Sequence, residues 1–179
     1  IHQDEENKSF LKGVATDGHR LAQVKLKTPD GADGLPSIII PRKTVNELRK
    51  LLDETDGDIL INVSKNKIRF TVNNCIITSK LIDGTFPDYQ RVIPKENKNK
   101  LEVSTKEFKD AVDRVSTISM EKTRAVKLEI NKNSLILKVN NSEIGSAIEE
   151  LSIEFDGENL EIGFNSKYLL DITNQIQGD

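Results

Sequence analysis

A strand, a helix and three further strands are predicted in the same order twice along this chain of 179 residues, and this repetition limits the folds that it can adopt. The first copy is predicted as a strand at 38–40, a helix from Pro41 to Asp56-Gly57-Asp58, and strands at 59–63, 67–72 and 76–82. The second copy is predicted as a strand at 101–103, a helix capped by Ser104, and strands at 125–130, 134–139 and 147–155. A third start follows, with a strand at 160–164 and a helix capped by Asn165. Tandem β-α-β-β-β units predict an α+β fold with helices on one face of antiparallel sheets.

The repetition extends to single residues. The stretch 65–74 (KNKIRFTVNN) can be laid on 132–141 (KNSLILKVNN) without a gap, and the three helices register through Lys43, Lys106 and Lys167. A composition rich in Lys and Asn could produce Lys-Asn turns between alternating strands by chance. Agreement at both the strands and the helices favours a true repeat.

Caps and apolar spacing predict the helices. Pro41 supplies a first-turn residue with φ already set, and Ser104 with Glu107 three residues later has the spacing of a capping box. The apolar residues at helical spacing are Val45, Leu48, Leu51 and Leu52 in the first helix and Phe108, Ala111, Val112 and Val115 in the second.

Composition and motifs exclude several classes of protein. Charged residues make up 31% of the chain, and neither a bilayer-spanning apolar run nor a secretory signal segment is present, so a soluble, cytoplasmic protein is expected. Cys75 is the single cysteine, which excludes an internal disulfide, and we predict it as a small buried residue on a strand. The phosphate-loop, dinucleotide and zinc-protease motifs are missing, so no cofactor or metal is predicted.

The stretch TDGHRL (16–21) brings an acid and a base close together. Asp17 and His19 could belong to a hydrolase, which remains an alternative. Strand-like runs lie on both sides, however, and Asp17-Gly18 is a hairpin signal, so a surface role in a turn is favoured. The only other histidine, His2, falls in a polar stretch that is typical of a loop, and the carboxylates are predicted in solvated turns.

Basic residues collect on the polar sides of the three predicted helices, within a chain of net charge −3. One positive layer suits attraction to phosphates that does not depend on sequence. Ordinary solvated helix faces explain the same charges equally well. A repeat protein that binds only other proteins, without DNA contact, therefore remains a second alternative.

Four stretches carry a resemblance to a known family: VATDGHRLA (14–22), IIIPRK (38–43), TSKLIDGTFPDYQRVIP (78–94) and LEIGFNSKYLLDI (160–172). In order and approximate spacing they resemble the bacterial DNA polymerase III beta subunit, the replicative sliding clamp. The resemblance implies the DNA clamp fold, a non-catalytic ring of two identical chains with three clamp domains each. It also implies that residues 1–88 are a middle clamp domain without its N-terminal part, and that 89–179 are a last domain without its C-terminal part.

The resemblance further implies which residues bind partners. Those of a pocket for short peptide motifs, between the middle and last domains, would be Thr16, Gly18, His19, Arg20, Leu21, Pro87, Arg91, Val92 and Tyr168. Those facing double-stranded DNA would be Arg42, Lys43, Lys106 and Lys167, and those at the edge that closes the homodimer would be Thr117, Ile118, Glu143 and Glu149. The implied protein partners are the polymerase III alpha subunit, the clamp loader, and other polymerases and repair proteins that bear clamp-binding peptides.

Overall fold

The computed structural model describes residues 1–55, 57–120 and 122–178. The chain divides into two compact units, Ile1–Val92 and Ile93–Asp179. Asp56, part of the turn predicted after the first helix, lies outside the described residues. In the described part, no helix combines the length and the apolar character needed to span a bilayer.

The first unit contains two antiparallel sheets and a helix. Its elements are β1 (His2–Gln3), β2 (Phe10–Thr16), β3 (Leu21–Lys27), α1 (Arg42–Leu52), β4 (Leu60–Val63), β5 (Lys67–Val72) and β6 (Cys75–Lys80). One sheet has the order β1-β2-β3 and the other the order β4-β5-β6. The predicted strands at 59–63, 67–72 and 76–82 are therefore confirmed to within two residues at each end.

Alternation along β5 builds the core of this unit. Ile68 and Phe70 are buried and pack with Ile38 and with Leu48 of α1, whereas their neighbours in sequence point to the opposite face of the sheet. A hydrogen bond of 2.8 Å from the Thr44 hydroxyl to the Ser79 hydroxyl further holds α1 on β6. The α1 helix thus packs on one face of the β4-β5-β6 sheet, and the other face is exposed to solvent.

Three expectations for α1 and the segment before it are wrong. Residues 38–40 are not a strand. The Ile38 amide donates to the Ile1 carbonyl, whereas the Ile39 carbonyl accepts from the Ile82 amide, so the segment does not pair along its length with one strand. Pro41 is the N-cap, with ψ of 138°, and the helix begins one residue later. The apolar stripe is also narrower than predicted, since Val45 is 48% exposed.

Cys75 and His2 differ from the predictions as well. Cys75 is on a strand, as predicted, but it is exposed, because it is the first residue of β6 directly after the tight turn from Val72. His2 lies in β1 and pairs with Lys12, and is not in a loop. The side chains around His2 are polar and give no strand signal, and this short strand is defined by its backbone pairing with β2.

The second unit repeats the arrangement with longer strands. Its elements are β7 (Leu101–Glu102), α2 (Thr105–Ser116), β8 (Ala125–Asn131), β9 (Ser134–Asn141), β10 (Gly145–Ser152), β11 (Glu154–Phe155), β12 (Leu160–Asn165) and α3 (Ser166–Thr173). The larger sheet has the order β10-β9-β8-β12, and β11 pairs with β7 in a separate two-stranded sheet. The strand predicted at 147–155 is therefore two strands, which belong to different sheets.

The caps and the core of the second unit agree with the sequence analysis. Ser104 accepts a hydrogen bond of 3.3 Å from the Glu107 amide, and Asn165 accepts one of 3.0 Å from the Lys167 amide. The predicted stripe of α2 packs on β8 and β9, with Val112 and Leu137 fully buried. An apolar helix face thus meets the alternating face of an antiparallel sheet.

Candidate functional site

The connection between β2 and β3 holds the TDGHRL stretch in a closed turn. Thr16 pairs with Leu21, and the Thr16 hydroxyl donates to the Arg20 carbonyl at 2.8 Å while it accepts from the Gly18 amide at 3.1 Å. Gly18 has φ of +86°, a conformation that other residues adopt at a cost. His19 and Arg20 are therefore presented at the exposed end of a hairpin.

Asp17 stabilises this turn through its carboxylate. One oxygen accepts from the backbone amides of His19 and Arg20, each at 3.0 Å, and the other lies 3.2 Å from the Arg20 guanidinium. The two amide donors, followed by Arg20, lower the pKa of Asp17. This carboxylate is thus committed to holding the loop, which does not favour the hydrolase alternative.

The segment from Pro87 to Val92 is anchored on the same sheet as the hairpin. Residues Tyr89–Arg91 form a short 3-10 turn in which the Tyr89 ring is buried, and its hydroxyl lies 3.1 Å from Nε2 of His2 on β1. Pro87, Arg91 and Val92 are exposed, and Val92 shows 71% of its surface to solvent. The turn thus holds these three exposed residues at a fixed place in the first unit.

A buried charge cluster beneath the hairpin was not foreseen from the sequence. Asp4 is fully buried, contacts Lys12 Nζ at 2.8 Å and also forms an ion pair with Lys25. The two ammonium groups hold the pKa of Asp4 far below its usual range, and Asp4 in turn raises the pKa of Lys12. The expectation that the carboxylates lie in solvated turns is wrong for Asp4.

A sequence signal for this cluster does exist in the hairpin register. Because Thr16 pairs with Leu21, Lys12 and Lys25 lie directly opposite each other on β2 and β3. Two facing cations destabilise a sheet unless an anion lies between them. The Asp17-Gly18 turn therefore predicts this register, in which a carboxylate such as Asp4 stabilises the two lysines.

Tyr168, the remaining residue assigned to the peptide pocket, belongs to the second unit. It is the third residue of α3 and is half-buried. The structure thus brings Thr16, Gly18, His19, Arg20 and Leu21 together in one hairpin. It places Pro87, Arg91 and Val92 in one anchored segment of the same unit.

The residues expected to face DNA lie at equivalent helical positions. Lys43, Lys106 and Lys167 are each the second residue of a helix, and Arg42 is the first residue of α1. All four are exposed. Lys106 lies 2.9 Å from a carboxylate oxygen of Asp110, which raises the pKa of this lysine and partly neutralises its charge. Within the described residues, the other three form no ion pair.

Of the residues expected at the dimer edge, Thr117, Ile118 and Glu143 form one cluster, and Glu149 instead pairs with Arg114. The side chain of Asn141 connects this cluster. Its Nδ2 donates to the Ile118 carbonyl at 2.9 Å, and its Oδ1 accepts from the Glu143 backbone amide. Thr117 follows α2 and is exposed. Glu149, on β10, is bound by Arg114 through two contacts of 2.5 and 2.7 Å, which lower its pKa, so its charge is already compensated within the chain.

Two family models match the chain. The DNA polymerase III beta subunit, central domain, matches residues 2–88, and the C-terminal domain of the same subunit matches residues 90–179. Between them the two models account for nearly all of the sequence.

Curated relatives and solved structures agree with the family models. The beta sliding clamp of Caulobacter vibrioides is 47% identical over 98% of this chain and 47% of that protein, and that of Escherichia coli K12 is 43% identical over 93% and 45%. The crystal structure of the sliding clamp (DNA polymerase III subunit beta) from Bartonella birtlesii bound to griselimycin is 57% identical. Its TM-score is 0.91 over 95% of this chain and 46% of that chain. This chain therefore spans about half the length of the curated relatives that it matches.

Proposed function

Because the chain belongs to the DNA polymerase III beta subunit family, we propose that it functions in a replicative sliding clamp, a non-catalytic ring that encircles duplex DNA and tethers the polymerase. The observation that carries this proposal is that one family model matches each half of the chain. The clamp fold, with helices packed on antiparallel sheets in both units, is consistent with it. Such a clamp acts on the chromosome, in the cytoplasm of a bacterium.

Peptide capture is the first part of the proposal. The hairpin residues Thr16, Gly18, His19, Arg20 and Leu21, with Pro87, Arg91, Val92 and Tyr168, bind short motifs of partner proteins. Support comes from a turn that is fixed by Asp17 and still presents Arg20 at its exposed end. Apolar anchors of a peptide would contact Leu21 and Val92, while arginine donors meet its polar atoms. Partners of this kind are the polymerase III alpha subunit, the clamp loader, and other polymerases and repair proteins with such motifs.

DNA contact is the second part. Arg42, Lys43, Lys106 and Lys167 face the duplex at the first turns of three helices. The positive end of the helix dipole adds to their charge there and favours phosphate groups. Exposed, flexible cations bind phosphates without reading base sequence, which is what a clamp that slides requires. Because Asp110 compensates Lys106, Lys43 and Lys167 contribute more to this attraction.

Ring closure is the third part. Thr117, Ile118, Glu143 and Glu149 lie at the edge that meets the partner copy of the homodimer. The hydrogen bonds of Asn141 join Ile118 to Glu143, and Thr117 precedes Ile118 in the chain, which supports these three residues as one surface. Glu149 contributes less charge to this edge, since Arg114 already binds it.

A peptide titration tests the proposal. A fluorescein-labelled peptide with a Gln-x-x-Leu-Phe motif is titrated with this chain, and binding is followed by fluorescence anisotropy. Arg20→Ala and Tyr168→Ala are each expected to weaken binding about tenfold, or about 1.4 kcal/mol. Arg49→Ala, which removes an exposed arginine of α1, is the matched control and leaves the affinity unchanged.

Competition with griselimycin adds a second measurement to this titration. Since the Bartonella birtlesii clamp was crystallised with griselimycin, we expect this chain to bind the compound too, and competition with the labelled peptide tests whether the two share a site. Saturable binding of the peptide that neither substitution weakens argues against the assigned residues.

A further inference from the structure

Opposed lysines occur at three strand pairs in the described part of the chain. In each case the two residues are direct cross-strand partners: Lys12 with Lys25, Lys127 with Lys138, and Lys67 with Lys80. Side chains at such positions lie about 5 Å apart at their Cβ atoms, and like charges there destabilise the sheet. A nearby anion therefore stabilises each pair.

Two of the three pairs have that anion within the chain. Asp4 forms ion pairs with both lysines of the first pair. Glu129 lies 3.1 Å from Lys127 Nζ and 2.5 Å from Lys138 Nζ, and so bridges the second pair. A carboxylate between two lysines thus appears in both units, and in the second unit Glu161 also lies 2.8 Å from Lys127 Nζ.

The third pair has no such carboxylate. Lys67 and Lys80 are exposed, and neither forms an ion pair with any of the residues that the structure describes. The sequence explains why, because residues 59–82, which include β4, β5 and β6, contain no Asp or Glu. Arg69 lies on the same face two residues along β5, and it adds a third cation to this surface.

Aliphatic side chains occupy the other end of this face. Leu60 and Ile76 flank Thr71 across the three strands and are 60% and 64% exposed. Thr71 is four residues from Lys67, which places the aliphatic row about 13 Å from the lysine pair. This is the face of the sheet opposite to α1, since Ile68 and Phe70 point to the core.

We propose that the outer face of the β4-β5-β6 sheet binds an acidic segment of a partner protein. The partner's carboxylates lie between Lys67 and Lys80, in the position that Asp4 and Glu129 hold at the other two pairs. An aliphatic residue of the same segment packs between Leu60 and Ile76. The surface belongs to a different sheet from the TDGHRL hairpin, so this interaction goes beyond the proposed peptide capture.

The chemistry of the face favours a polypeptide over a nucleic acid. Proteins that bind single strands stack bases on aromatic side chains, and the alternating pattern of β5 turns its one aromatic residue, Phe70, into the core. Exposed leucine and isoleucine on the same face as the cations match a segment that carries both carboxylates and aliphatic groups.

A direct binding measurement tests this inference. The probe is a fluorescein-labelled peptide of three Glu-Glu-Leu repeats, compared with three Gln-Gln-Leu repeats and with a short single-stranded oligonucleotide. Lys67→Glu is the test variant, and Lys27→Glu, an exposed lysine on β3, is the control with the same change of charge. Lys67→Glu places a carboxylate opposite Lys80, so the variant is expected to be at least as stable to thermal unfolding as the original chain.

The inference predicts saturable binding of the acidic peptide that weakens as NaCl is raised. Lys67→Glu is expected to weaken it at least about tenfold, and Lys27→Glu less than about twofold. The inference is overturned by absence of saturable binding, by equal weakening by both variants, or by tighter binding of the oligonucleotide with the same dependence on Lys67. Equal affinity for the Gln-Gln-Leu peptide overturns it as well, because the lysines would then have no role.

Discussion

Leu137 provides the most direct test of how the second unit is held together. Its side chain is fully buried on β9, in the core that α2 packs against. Replacing it with alanine removes the equivalent of three methylene groups, about 2.4 kcal/mol of transfer free energy at about 0.8 kcal/mol each. The cavity left behind adds to this loss, and Leu→Ala changes in cores cost about 2–5 kcal/mol in total. We therefore expect Leu137→Ala to lower the free energy of unfolding of this unit by about 3–4 kcal/mol.

Native-state hydrogen exchange with mass spectrometry measures this change unit by unit. Exchange protection of the β8 and β9 amides should fall by the full loss in the free energy of unfolding. Amides of β5, in the first unit, should keep their protection. Ile148→Ala is the matched control, because this side chain on β10 is 62% exposed and its loss should cost less than about 1 kcal/mol. A loss below about 1 kcal/mol for Leu137→Ala, or an equal loss of protection in β5, refutes the assignment of a separate core centred on this residue.

Three further substitutions test local features. Asp4→Asn should destabilise the first unit in urea unfolding and flatten its pH dependence. Since the pKa of Asp4 is lowered in the folded chain, its contribution is present above the unfolded value near 3.9 and is lost as pH falls through the folded one. Ser104→Ala should cost about 1 kcal/mol through loss of the α2 cap, seen as faster exchange at the start of that helix. Gly18→Ala should cost about 1–2 kcal/mol because φ is positive there, and should also weaken binding of the Gln-x-x-Leu-Phe peptide. Unchanged affinity in that variant would show that the turn conformation does not contribute to capture.

Local signals in the sequence were sufficient for most of the second unit. The cap at Ser104, the stripe of α2 and the strands β8 and β9 all depend on residues near in sequence, and each was predicted at its place in the chain. The TDGHRL hairpin was also predictable, because Asp17 forms its hydrogen bonds within three residues.

Features that depend on distant partners could not be predicted in the same way. The run at 38–40 has the composition of a strand, yet its backbone bonds go to Ile1 and Ile82, which no local pattern reveals. Asp4 looks like a loop residue among other polar residues, and only the pairing of β2 with β3 creates the cationic site that buries it. The peptide-site and DNA-facing residues were assigned from family resemblance, since their chemistry alone is shared by many exposed surfaces.

A chimeric clamp tests the central claim most directly. Residues 1–179 of this chain replace the matching stretch of the Caulobacter vibrioides beta sliding clamp, to which they are 47% identical. Light scattering first establishes that the chimera is folded and dimeric. The chimera is then loaded on a nicked circular plasmid with clamp loader and ATP, and its retention on the plasmid is measured before and after the plasmid is linearised. A sliding clamp is predicted to stay on the circle and to be lost from the linear DNA. A dimeric chimera that never stays on the circle, or that stays equally after linearisation, contradicts the account.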